Sequence, residues 1–453
     1  MSASEKRATW SLASIYALRM LGLFLIMPVL SLFAEQLEGS TPFLMGLSIS
    51  IYGLTQVVLQ IPFGILSDRY GRKQIIIIGL ILFFIGSVVA ALSTTIYGVL
   101  IGRAIQGSGA IAATIMALVA DLTQEVHRTK AMALIGASIG VSFGVAIIAG
   151  PVIADLIGVS GLFWMTALLT LMAIAVVIYI VPNPASYKSH SDTQLNPSKF
   201  SSIFKDAELL RLNYGIFTLH LMLTASFVVV PLAMRDSGLL PSKHWLVYLP
   251  VFVTSMAAMI PFIILAEKKR KMKGVFIGAI VALIIADLGL ASTNTSLTGI
   301  VIFLWLFFCG FNLLEATLPS LISKTVPGDL KGTAMGIYSS CQFLGAGIGG
   351  AAGGWCYGQY GMGAVFWFCA AAAFSWFLLS LWMKPPRYWA NLMISLTDMP
   401  EHEIEQFVKK VLKVKGVEEI TLRTDEAVAY LKVDNQCLEK DQLQSLINQY
   451  VNR

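Results

Sequence analysis

Twelve apolar stretches of roughly 20 residues, each long enough to cross the hydrocarbon core of a bilayer, limit this chain to very few folds. They cover about 11–34, 44–66, 74–93, 97–121, 130–156 and 161–182, then 207–233, 244–266, 274–293, 297–323, 332–356 and 363–383. Inside lipid every peptide group must be bonded within the protein, so such segments cross as helices. The chain is 56% hydrophobic and 13% charged, whereas soluble domains carry about 25% charged residues. The excess apolar surface calls for a lipid bilayer as solvent. The first run, Ser11 to Phe33, has no small-residue cleavage site after it and reads as a spanning helix rather than a signal peptide.

Basic residues set the expected orientation, because they concentrate in cytoplasmic loops. One set of loops holds Arg69, Arg72 and Lys73; Arg128 and Lys130; Lys188, Lys199, Lys205 and the neighbouring Arg211; Lys268 to Lys273; Lys324 and Lys331; and Lys384 with Arg387. The alternate loops hold only Arg235 and Lys243. Both termini are therefore expected in the cytoplasm, as an even number of spans also requires. The five cysteines (Cys309, Cys341, Cys356, Cys369 and Cys437) show no metal-ligand spacing and read as packing thiols. No metal site, disulfide framework or cofactor is expected.

The halves repeat. Ile61-Pro62-Phe63, followed by Asp68-Arg69, aligns with Ile260-Pro261-Phe262, followed by Glu267-Lys268. Entering span five, Arg128-Thr129-Lys130-Ala131-Met132-Ala133 aligns with Lys331-Gly332-Thr333-Ala334-Met335-Gly336 entering span eleven. Two parallel six-helix repeats, residues 1–182 and 207–384, are thus expected around an axis along the membrane normal, with the solute site between them. The polar stretch 183–206 reads as a cytoplasmic linker. After Pro385-Pro386 the composition turns soluble, and 388–453 reads strand–helix–strand–strand–helix, a ferredoxin-like α+β domain with its last strand short or missing. It lacks the CxxC of metal-binding relatives, and its acidic balance disfavours nucleic acid. Regulation, self-association through an open sheet edge or simple stabilisation remain for it.

The segment Gly64-x-Leu66-x-Asp68-Arg69-x-Gly71-Arg72-Lys73 closely resembles motif A of the major facilitator superfamily. Gly64 suits close helix approach, Gly71 a tight turn, and the positive start of span eleven could attract Asp68. The resemblance implies that this contact latches the outward-facing state, with Arg72 pairing to an acid at the end of span four, where Asp121 stands. Arg103-x-x-Gln106-Gly107-x-Gly109-Ala110 resembles motif B, whose Arg is linked to proton coupling; a structural ion pair is the competing reading. Gly150-Pro151 is the core of motif C, associated with antiporters, although Ala146 and Ala154-Asp155 depart from its pattern. The layout of twelve spans plus a C-terminal domain resembles the YajR group, in the drug:proton antiporter branch. That resemblance implies a multi-pass protein of the bacterial inner membrane.

Among polar residues within spans, Glu315 is the preferred proton carrier, since a carboxyl shielded between helices is suited to load and release a proton. A charge pair with Arg19 is the alternative. His220 titrates near neutrality as a residue type, but one hydrogen bond would satisfy it as a structural group. Asp287 reads as a periplasmic-side gate or an interfacial residue. Arg19, Gln56, Gln60, Asn213, Asn312 and Gln342 are cavity candidates. The first span carries Arg19 where many multidrug antiporters of the superfamily keep an acid, so cation export through a first-helix carboxylate is not available. Met and aromatic stripes read as packing or lipid contact. The expected function is proton-coupled efflux of a small molecule by alternating access. An importer or facilitator of a small polar solute, and a membrane sensor signalling through the C-terminal domain, are the alternatives; no catalytic constellation marks an enzyme.

Overall fold

The computed structural model describes residues 1–183, 205–326, 331–385, 390–396, 401–423, 428–434 and 437–450. The expected linker, 183–206, lies almost wholly outside them. Two compact units emerge, Met1–Lys384 and Pro385–Arg453.

The first unit is helical. Its N-terminal half comprises α1 (Ala3–Ala34), α2 (Pro42–Tyr70), α3 (Arg72–Leu92), α4 (Ile96–Ser108), α5 (Ala112–Leu122) and α6 (Glu125–Tyr179). The second half comprises α7 (Ala207–Asp236), α8 (Trp245–Lys268), α9 (Met272–Thr293), α10 (Leu297–Thr325), α11 (Lys331–Tyr360) and α12 (Met362–Leu381). Among the described residues ten helices are long and apolar enough to cross a membrane. One of these, ending at Tyr179, is folded at Gly158 (φ 72°, ψ 169°) and supplies spans five and six. The glycine-rich α11 completes the twelve. Span four is also interrupted: Gly109 to Ile111 leave the helix between α4 and α5.

Local sequence explains where these helices begin and turn. Ser2 and Glu5 form a reciprocal capping box at α1, Glu5 N donating to Ser2 Oγ at 3.1 Å and Ser2 N to Glu5 Oε2 at 2.6 Å. Thr41 caps α2, which opens on Pro42, and Asp206 caps α7. Gly71, at φ 100°, is the sole residue between α2 and α3; a side chain there would be strained. Large apolar residues such as Val58, Leu156, Trp164 and Phe374 point outward, which a membrane span tolerates because lipid covers them.

The repeat is visible in side-chain bonds. Lys73 Nζ donates to the Val181 carbonyl at 2.9 Å, and Lys273 Nζ donates to the Leu381 carbonyl at 2.9 Å. Each lysine starts the third span of its half and caps the end of the sixth, satisfying a carbonyl that the helix leaves open.

The second unit contains β1 (Ala390–Ser395), α13 (Glu401–Val411), β2 (Val417–Arg423), β3 (Val428–Val433) and α14 (Lys440–Tyr450). Its sheet order is β1-β3-β2, with β3 antiparallel to both neighbours. This is the ferredoxin-like arrangement without a fourth strand among the described residues. Phe407, Val411, Leu431, Val433 and Leu443 form its core.

Candidate functional site: the motif A cluster, the junction of the halves and the central polar residues

Arg72 lies at the start of α3 because Gly71 reverses the chain there. From that position its Nη1 meets Asp68 Oδ1 at 2.8 Å and its Nε donates to Asp121 Oδ2 at the end of α5. Ser67 Oγ lies 3.4 Å from Nη1. The Asp121 side chain is 2% exposed and that of Asp68 43%, so one acid is locked in the bundle and the other remains accessible. Lys73 is held by Val181 and Asn183, and Arg69 lies over the Tyr70 ring. The second half makes the corresponding tie with a lysine: Lys324, near the end of α10, reaches both carboxylate oxygens of Glu267, near the end of α8, at 2.7 and 2.8 Å.

Gly64 corrects a sequence expectation, because a side chain there would meet open space. The reason lies in how α2 and α11 diverge. Far from motif A they approach closely: Gly46 meets Gly350 and Gly354 and Gly53 meets Gly347 backbone to backbone, and the Ser50 hydroxyl packs on Gly350. Gly64 is 18 residues, five turns, beyond Gly46 and so lies on the same stripe, as Gly336 does on that of Gly354. Yet neither Gly64 nor Gly336 has a neighbour. The second junction, α6 with α8, behaves alike. Gly144 packs on Phe252, whereas Gly136 and Gly140 face open space. The halves are therefore closed at the end away from motif A and parted at the motif A end. The contact expected between Asp68 and the start of span eleven falls where residues 327–330 and the side chains of residues 331 and 332 lie outside those described.

Two further features hold the closed end. Arg235 at the end of α7 forms an ion pair with Glu35 just beyond α1, and also bonds Asp236 at 2.9 Å. Deeper in, Phe143 of α6 packs against Phe24 (5.1 Å), Phe252 (5.8 Å), Phe308 and Phe311 (6.3 Å each). This cluster joins both halves. Sequence reading missed it, having treated the aromatic residues as packing without a role, and Glu35 was missed as well.

The predicted cavity residues fall into two groups. In the first half Arg19, 1% exposed, donates through Nη2 to Tyr52 Oη (2.8 Å), Gln56 Oε1 (3.0 Å) and the Gly109 carbonyl (2.8 Å). Arg103 Nε donates to the Ser48 carbonyl (3.2 Å) and its Nη1 to Gln106 Oε1 (2.9 Å); Gln106 in turn reaches Ser87. In the second half Glu315 of α10 meets Gln342 and His220. The Gln342 amide donates to Glu315 Oε1 at 3.4 Å and to His220 Nε2 at 2.8 Å, and His220 Nε2 is 3.9 Å from Glu315 Oε2. The alternative pairing of Glu315 with Arg19 is not made, because each carries its own neutral partners within its half. The expected structural ion pair for Arg103 is likewise absent among the described residues.

The other candidates scatter. Asn312 donates to Ser255 at 3.1 Å. Gln60 and Asn213 are buried with a carbonyl oxygen unbonded among the described residues. Asp287 is fully buried, and neither carboxyl oxygen has a hydrogen-bond partner among the described residues. Gly150 packs directly on Leu25 and Pro28 of α1, with Pro151 inside α6.

Comparison with known proteins adds identity to this geometry. The family model for the Major Facilitator Superfamily matches residues 12–349 and, in an overlapping match, 312–415. The inner membrane transport protein YajR of Escherichia coli K12 is 44% identical over 451 residues, covering 99% of each chain. The class B tetracycline resistance protein of Escherichia coli is 28% identical over 205 residues, covering 43% of this chain and 50% of that one. The crystal structure of a D-xylose-proton symporter shares the fold, with a TM-score of 0.68 at 15% identity over 85% of this chain and 99% of that one. With two related half-bundles that meet at one end and part at the other, the chain belongs to the Major Facilitator Superfamily and is a membrane transporter, not an enzyme.

Proposed function

We propose that this transporter exports a small molecule from the cytoplasm in exchange for protons. It would lie in the bacterial inner membrane with both termini and the C-terminal domain inside, so that the parted motif A end faces the cytoplasm. The observation that carries the reading is the Glu315–Gln342–His220 group. His220 Nδ1 lies 3.3 Å from the Ile216 carbonyl, which can only accept, so the proton sits on Nδ1 and Nε2 accepts from Gln342. Glu315 therefore faces neutral groups. Its protonated form is tolerated when the halves close, and its ionised form requires water or a counter-charge. Export direction draws support from the motif C core at Gly150-Pro151.

In this reading Asp68, Arg69, Gly71, Arg72, Lys73 and Asp121 act as the switch that stabilises the alternate, outward-facing state, with Gly64 entering a helix contact there. Solute flux driven by an imposed pH gradient in inverted vesicles tests the proposal. Wild type should respond, and Glu315→Gln should retain exchange without pH dependence. A gradient without effect on wild type would defeat proton antiport. Removing 388–453 should leave flux intact; loss of a signalling output with no flux to measure would favour a sensor.

A further inference from the structure

The first half contains buried positive charge that no acid balances. Arg19 and Arg103 flank one ring: their guanidinium carbons lie 5.9 and 5.3 Å from the centre of Tyr52, and Arg19 is also 5.5 Å from that of Phe83. Both residues are at least 96% buried, yet among the described residues no carboxylate forms an ion pair with either. Every bond Arg19 makes passes through Nη2; Nε and Nη1, three of its five N–H donors, have no partner there. Gln56 Nε2, on the amide whose oxygen Arg19 holds, is unbonded as well.

The backbone adds donors a few residues along the chain from the Gly109 carbonyl that Arg19 holds. Arg19 Nη2 grips Gly109, where span four breaks, and α5 restarts three residues later at Ala112. The first amides of a helix have no intrahelical acceptor, and interrupted spans use such half-helix starts to hold anionic groups. Thr114, in that first turn, is fully buried with its hydroxyl unbonded among the described residues. Buried donors are normally satisfied. Here the unsatisfied ones are a guanidinium edge, an amide, a hydroxyl and a helix start. A planar oxyanion accepts from donors of each of these kinds, and a carboxylate matches the guanidinium fork in two parallel bonds.

We infer that Arg19, Gln56, Thr114 and the start of α5 form a subsite for the carboxylate of an amphipathic organic anion, the class of solute this transporter carries. Tyr52 extends the site toward the second half, its ring 6.4 Å from that of Phe343, so the apolar body of the solute would lie between the halves. The inference rests on the transport reading for its role, but not on the proton step, which belongs to Glu315 across the junction.

Thermal unfolding of the purified full-length chain, at constant ionic strength, tests it with benzoate, the uncharged benzamide and benzylammonium. Benzoate should raise the melting temperature in a dose-dependent way, while the other two should not. Arg19→Gln should weaken the apparent affinity for benzoate by about tenfold or more, as for loss of hydrogen bonds to a charged group. Gln56→Leu and Thr114→Val, which keep the charge, should each weaken it less and cover the case in which Arg19→Gln does not fold. Benzoate binding that survives all three substitutions, a response to benzamide equal to that of benzoate, or no response to benzoate would overturn the inference. Glu315→Gln separates the two readings. If it keeps benzoate binding but its flux still follows pH, the proton reading fails alone. If pH-driven flux depends on Glu315 while benzoate binds without regard to Arg19, the anion subsite fails alone.

Discussion

Arg235 and Glu35, 200 residues apart in the chain, form an ion pair that bridges the two halves at the end away from motif A. Their side chains are 35% and 36% exposed, so water screens the attraction and the tie biases an equilibrium rather than locking it. Glu35→Gln is expected to favour the alternate state by about 0.5–1 kcal/mol, the scale of an exposed pair. That corresponds to a roughly two- to fivefold change in population, measurable by distance distributions between spin labels on α1 and α7. An unchanged distribution would remove Glu35 from the gate.

The register of α2 and α11 makes a sharper statement about the other state. Gly53 faces Gly347; eleven residues onward along α2 is Gly64, and eleven back along α11 is Gly336. Cysteines at both positions should cross-link in the alternate state, and Glu35→Gln should raise the yield. Gly46→Leu, which would drive a side chain into the Gly350 carbonyl, should raise it further by preventing closure at the opposite end. Cross-linking of Gly64 to a residue well off Gly336 would reject the common register.

The two ties at the motif A end differ in energy because they differ in burial. Asp121 is 2% exposed and shares Arg72 with Asp68, whereas Glu267 and Lys324 are 42% and 28% exposed. Removing one partner of a buried pair costs about 3–5 kcal/mol. Asp121→Ala should fall near the lower bound, since Asp68 still holds Arg72. Lys324→Ala should cost only about 0–1 kcal/mol. Thermal unfolding of both variants in detergent provides the comparison, and equal losses would contradict it.

Much of this was legible in the sequence, for identifiable reasons. Span length and loop charge are one-dimensional signals, so the twelve crossings and the repeat could be read directly. Arg72 with Asp121 could be read because the motif places both at helix ends, where few orientations are open. The strand–helix pattern of the C-terminal unit followed from its spacing. Contacts fixed by helix rotation and tilt were not legible. Nothing near Glu35 signals Arg235, and a lipid-solvated helix has no polar face to report which way Arg19 or Glu315 points. Gly64 was read as a contact residue because composition cannot say which of two states a structure occupies. Asp287 was read as a periplasmic-side gate or an interfacial residue from its place near a helix end, and its full burial, which depends on neighbours distant in sequence, was not legible.

Alternating access coupled to Glu315 is tested most directly by spin-label distances at both ends of one molecule under changing pH. With the five native cysteines replaced, one pair would occupy Tyr70 and Lys269 and the other Glu38 and Leu240, all exposed positions. The expected result is that one distance shortens as the other lengthens when pH changes, and that Glu315→Gln abolishes the response. Distances that move together, or a pH response preserved in Glu315→Gln, would contradict it.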